Sequence, residues 1–172
     1  MGGSVIGIKM GYGYPGTYAR GGDTYIMSRP VVASGADVPF GAAVALNADG
    51  TFQKFGASDT LAKFAGIAVR EVKQATDFYA AMGVYKAKEA MDVIERGNVA
   101  VTCVEGTPDP TKGVYVCTVS ATNTLPGDLV SVAVPAGTSA GTTIQLTNCR
   151  WVGVDTDSNK VAELAIVSRN NG

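Results

Sequence analysis

Apolar and polar positions alternate along most of this chain at the two-residue period of a β-strand. "DTYIMSRPVVA", from Asp23 to Ala33, is β-branched and extended, with Pro30 marking an edge or a bend. In "AAVALNADGTFQKF" two short apolar runs flank Asn47-Ala48-Asp49-Gly50, which predicts a hairpin. "KFAGIAVREV" alternates and then ends in charge. In "MDVIERGNVAVTCV", Met91, Val93 and Glu95 alternate with Asp92 and Ile94, Arg96-Gly97 reads as a turn, and Val99 and Val101 return. That spacing predicts a second hairpin. "GVYVCTV", "DLVSVAV" and "TTIQLTNCRWVGV" predict further strands, the last two joined by the small-residue loop "PAGTSAGT". "VDTDSNKVAELAIV" predicts a turn at Asp157-Ser158-Asn159 and a closing strand. Turn signals are frequent and long helical segments do not intervene. The predicted fold class is therefore all-β, a compact β-sandwich or barrel-like domain.

Two stretches depart from this pattern. "ATDFYAAMGVYKAKEAMDVIER" is alanine-rich and compatible with a helix capped by Thr76 or Asp77. Gly83 and Val84 break its 3.6 period, which favours a loop followed by strands. Residues 1–22 lack a core pattern altogether. They predict an extended Gly/Tyr-rich N-terminal arm, with a β-rich domain over 23–172. Within the arm, Gly11-Tyr12-Gly13-Tyr14-Pro15-Gly16 satisfies G-x-G-x-x-G. A dinucleotide loop needs a strand before it and a helix starting inside it. Neither is signalled here, and Pro15-Gly16 favours turn and extended backbone instead.

Composition narrows the function. The chain has 172 residues, enough for one domain with a real core. Only 17% are charged while 46% are hydrophobic, so much of the exterior is small, polar or apolar, a surface suited to packing against neighbours. Net charge is −1 and no basic block occurs, which argues against nucleic-acid binding. No apolar run reaches transmembrane length, so no membrane partner is expected. The start lacks the apolar region of a signal peptide. Cys103, Cys117 and Cys149 lie in strand-like runs without metal spacing and are expected as buried free thiols, as in a protein made in a reducing cytoplasm.

The chain contains no histidine, the usual general base near neutral pH and the commonest metal ligand. Gly137-Thr138-Ser139-Ala140-Gly141 spells G-x-S-x-G, but a proline precedes it, a strand follows it, and no histidine exists to activate Ser139. Asp155, Asp157 and Asn159 begin like a calcium loop. Lys160 then replaces the required glycine and Ile166 the bidentate glutamate, so a solvated hairpin tip is expected. Asp109 sits between two prolines in an exposed turn. No catalytic constellation, cofactor or metal is predicted. The informative residues are Tyr12, Tyr14, Tyr18 and Tyr25 with Arg20 and Arg29. Tyrosine and arginine combine contact area with hydrogen bonding and are favoured where protein surfaces meet. These six are the candidate interface residues. The competing reading has the rings capping one end of the core.

Taken in order, several segments resemble the capsid cement, or head decoration, proteins of tailed bacteriophages. They are the Gly-Pro-Gly start, "SRPVVASGADVPFGAAVAL", "KFAGIAVREV", "EAMDVIERGNVAVTC" and "NCRWVGVDTDSNKVAELAIV". Runs like Val38-Pro39-Phe40-Gly41, Phe64-Ala65-Gly66-Ile67-Ala68 and Asp92 to Gly97 open a hairpin, start a central strand and turn the following hairpin in that family. The resemblance implies a non-enzymatic structural virion protein, made in a bacterial cytoplasm. It implies a protein that binds the capsid exterior, partners the major capsid protein and bridges its neighbouring subunits. It also implies a homo-oligomer, a trimer before a dimer. A tail-tube or head-completion protein, a displayed carbohydrate- or host-binding β-module, and a small hydrolase using Ser139 are the rival expectations.

Overall fold

The computed structural model describes residues 11–70, 83–139 and 142–169. Its strands are β1 (Tyr18–Pro30), β2 (Val38–Pro39), β3 (Ala43–Leu46), β4 (Phe52–Lys54), β5 (Phe64–Ala68) and β6 (Val84–Tyr85). Then follow β7 (Ala90–Glu105), β8 (Tyr115–Cys117), β9 (Leu129–Val130), β10 (Thr143–Gln145), β11 (Cys149–Trp151) and β12 (Val161–Ile166). A single 3-10 turn, Leu61–Lys63, is the one helical element among the described residues. The all-β fold is thus established. Of the ambiguous alanine-rich stretch, residues 83–96 form β6 and the start of β7, while 75–82 lie outside the described residues.

Ten strands join one sheet and β2 pairs with β6 in a small second one. The predicted β3–β4 hairpin forms with Leu46 opposite Phe52 and Gly50 at φ 82° in its turn. β11 and β12 form the closing hairpin, and the Asp157 side chain caps its turn by accepting from the N–H groups of Asn159 (2.8 Å) and Val161 (2.9 Å).

The hairpin expected at Arg96-Gly97 does not exist. β7 runs unbroken for sixteen residues and pairs with β1, β5, β12 and, in parallel, β9. Before Gly97, Met91 and Val93 point to one core and Ile94 to another; after it, Val99, Val101 and Cys103 join Ile94. The strand has changed phase by one residue, as a bulge requires. Gly97 adopts φ 126°, and a Cβ there would sit 3.2 Å from the Asp23 carbonyl. A phase break inside one strand carries the same sequence signature as a turn between two. "TTIQLTNCRWVGV" is the converse case. Read as one strand, it divides into β10, which pairs with β8, and β11, which pairs with β12.

Strands from both ends of the large sheet share the main core, so the sheet folds around its own interior. Ala43, Ala45, Phe64, Ile67, Ile94, Val116, Leu129, Trp151 and Leu164 meet there. Trp151 is fully buried and donates its indole N–H to the Gly113 carbonyl (3.2 Å). On the other face, Val31, Val44, Phe52, Tyr85, Met91 and Val93 form a smaller core, with the Tyr85 hydroxyl donating to the Val69 carbonyl (2.7 Å). Cys103 and Cys117 are buried free thiols and Cys149 packs against the main core; burial pushes all three thiols up, Cys149 to about 12.

Candidate interaction surface

Pro15-Gly16 of the G-x-G-x-x-G run makes a turn. The Thr17 N–H donates to the Tyr14 carbonyl (3.1 Å) with Pro15 and Gly16 between them, and Gly16 at φ 82° takes the position that only glycine fills easily. The same glycine lies against backbone: a Cβ would meet the Arg70 nitrogen at 2.8 Å. Gly16 donates to the Ala100 carbonyl (2.7 Å) and accepts from Arg70 (2.8 Å), and Ala100 donates to Thr17 (2.9 Å). No nucleotide loop is present; Gly16 lets the chain wedge between the end of β5 and the interior of β7. β1 begins at Tyr18, so the expected division at residue 22 falls inside a strand.

β1 holds most of the sequence-predicted contact residues. Along its thirteen residues, none is buried. Four of the nine large apolar side chains exposed among the described residues, Tyr14, Tyr18, Tyr25 and Ile26, fall between positions 14 and 26. These four are close in sequence, one in the N-terminal turn and three along β1. Tyr14 is 69% exposed, with the Arg70 guanidinium 4.6 Å from its ring centre. Arg169 stacks on Tyr25 at 3.7 Å and donates to Glu95 (2.9 Å). Tyr12 is half-buried against Gly153, and its N–H donates to Asp157 Oδ2 (3.2 Å).

The two predicted arginines are engaged within the chain. Arg20 grips Glu163 through Nε (2.7 Å) and Nη2 (3.1 Å), and Asn98 donates to the same carboxylate (2.7 Å). Glu163 sits on the buried strand β12 and is 5% exposed. Burial alone pushes its carboxyl up; the hydrogen bonds from Arg20 and Asn98 outweigh this and hold it below the ordinary carboxylate value. Arg29 donates to the Gly50 carbonyl (3.3 Å) and lies over the Phe52 ring at 5.9 Å. Asp23 pairs with Arg96, and the Ser28 hydroxyl with Asp92. Sequence reading missed Glu163, Arg169 and Ile26. Glu163 and Ile26 alternate like core residues, and Arg169 stands among polar C-terminal residues with no periodicity.

The rejected motifs are structural. Asp109 accepts from the Thr111 N–H and hydroxyl (2.7 Å each) in its own turn. Asp155 accepts from the Thr156 N–H (2.8 Å), and Asp157 is occupied by the backbone donors above. Ser139 is exposed, and Gly141 of its motif lies outside the described residues. Among the described residues, no group of three or more Cys, Asp or Glu is arranged to hold a metal, and no helix is long and apolar enough to cross a membrane.

The described residues form an all-β body whose exposed strand β1 carries Tyr18 and Tyr25. The comparisons with known proteins agree. The family model for the structural cement protein (E217 gp24/Pam3 gp6) matches residues 2–170, and the chain belongs to that phage family. In fold it is similar to a chain from the capsid of Myoviridae phage XM1, with a TM-score of 0.69 and 18% identity over 97% of each chain. No curated protein matches it. It is a structural virion protein of the phage capsid.

Proposed function

We propose that this protein sits on the outer face of a phage capsid and ties neighbouring major capsid subunits together, using the N-terminal turn and β1 as its principal contact surface. The observation that carries this reading is β1 itself, a thirteen-residue strand that buries none of its side chains. Ordering a strand costs about 1–2 kcal/mol of backbone entropy per residue, and a partner's surface is the natural place to recover it. Tyr14, Tyr18 and Tyr25 supply the exposed contact area, while Tyr12, Arg20 and Arg29 fix the backbone that presents them. The role needs no cofactor and no catalysis. Binding only the assembled lattice stabilises it by linkage, and many copies make modest single-site affinity sufficient. Self-association accompanies the role, as a trimer or a dimer.

The test is to mix purified protein with undecorated heads, image the product, and follow the temperature at which heads release DNA. Density outside the capsid spanning subunit boundaries, with a raised release temperature, is expected. Failure to bind heads, or assembly into rings without capsid, overturns the reading.

A further inference from the structure

We infer that the outer edge of β1 is where two copies of this chain join, strand against strand about a two-fold axis. The inference stands on the hydrogen-bond parity of β1 and does not require the capsid reading above.

Between Ile26 and Pro30, β1 pairs with β7 without a register shift. Just beyond, Val31 donates to Glu89 (2.8 Å) and accepts from Lys88 (3.0 Å), so its polar groups face the β7 side. Val32 turns the other way and donates to Phe52 (2.9 Å). Strand alternation then directs Arg29 and Met27 toward β7 and turns Ile26, Ser28 and Pro30 outward. Pro30 fits this assignment, because the outward position is the one that needs no N–H. The outer edge past Pro30 is taken by β4 through the Val31–Phe52 bridge. Among the described residues, what is left open is the N–H and C=O of Ile26 and of Ser28.

Those four groups are self-complementary. Two antiparallel copies centred on Met27 place Ile26 of each opposite Ser28 of the other, which satisfies all four, and bring the two Met27 residues together as a non-hydrogen-bonded pair. Charge does not oppose this. Edge strands are commonly protected by outward charges, yet here Arg20 is held by Glu163, Asp23 by Arg96, and Arg29 lies over Phe52 beside Gly50. The exposed side chains at the open edge are Tyr25, Ile26 and Ser28, two of them large and apolar. A pairing of this kind has two-fold symmetry, so it selects a dimer over a trimer.

The test uses the full chain in solution, without heads. Sedimentation across a concentration series is expected to show a dimer. Ile26→Lys, checked for native circular dichroism, is expected to weaken it by about tenfold or more. In a second measurement, Met27→Cys under mild oxidation is expected to yield a covalent dimer, because directly opposed Cα atoms of a non-hydrogen-bonded pair lie about 4.5 Å apart. Val154→Cys, on a 71% exposed residue remote from β1 in sequence, is the control. A monomer at every concentration overturns the inference, as does a trimer. So does a folded Ile26→Lys protein that associates normally, or a Met27→Cys protein that cross-links no faster than the control. A monomer that still decorates heads would sink this inference and leave the capsid role standing.

Discussion

Glu163 is the residue on which the N-terminal half of β1 depends. Its carboxylate is nearly inaccessible, while its main partner, Arg20, has a side chain 66% exposed. Glu163→Ala removes three hydrogen bonds to the carboxylate, two from Arg20 and one from Asn98, and frees an arginine into water, so a loss of about 1 kcal/mol is expected in denaturant unfolding once solvent screening is allowed for. Because the folded carboxyl is held below its ordinary value of 4.5, the pair stabilises the protein above that value. The contribution disappears as pH falls through the lowered folded value. Acidification is therefore expected to lower the protection of residues 18–22 first, measured by hydrogen exchange with mass spectrometry and corrected for the pH dependence of intrinsic exchange. Glu163→Gln is expected to show low protection there at neutral pH and little further change in protection with acid. Equal pH responses in the two proteins would assign the acid sensitivity elsewhere. None of this pairing was visible in the sequence, where Arg20 and Glu163 stand 143 positions apart.

At the level of elements, the strands were readable wherever turn chemistry and apolar alternation agreed. Asn47 to Gly50 and Asp157 to Asn159 are such places, and both hairpins formed where expected. The reading failed where one strand changes phase and where one apolar run serves two strands. Gly97 is the clearer case, since a bulge and a turn share glycine and a broken alternation. Gly97→Ala is expected to cost about 1–3 kcal/mol, because it forces a Cβ onto a backbone at φ 126° beside the Ile94 side chain and the Asp23 carbonyl. Equilibrium denaturation checks it. Trp151→Ala, which empties the centre of the main core, is expected to cost more, about 3–5 kcal/mol.

For the whole molecule, the all-β class and the structural role were legible together. Sparse charge, absent histidine and crowded N-terminal tyrosines all pointed away from chemistry and toward surfaces. The placement of those tyrosines was not legible, because it follows from tertiary pairing. Tyr12 packs inward on the closing hairpin while Tyr14 faces out, although they sit two residues apart. Replacing Tyr14, Tyr18 and Tyr25 with alanine is expected to leave the melting temperature nearly unchanged and to lower head occupancy at least tenfold. Occupancy is measured by counting copies on purified heads. Unchanged occupancy would return the rings to the role of covering the body.

The sixteen-residue span of β7 also sets how the molecule carries load. Its antiparallel bonds to β1 lie across the strand direction, so a pull along the axis of β1 stretches them all at once, in shear. A pull from the side loads them one at a time, like a zip. Each tether direction thus meets a different mechanical strength from the same bonds. A particle swelling under its packed genome would be restrained best by copies whose β1 strands lie along the line of expansion.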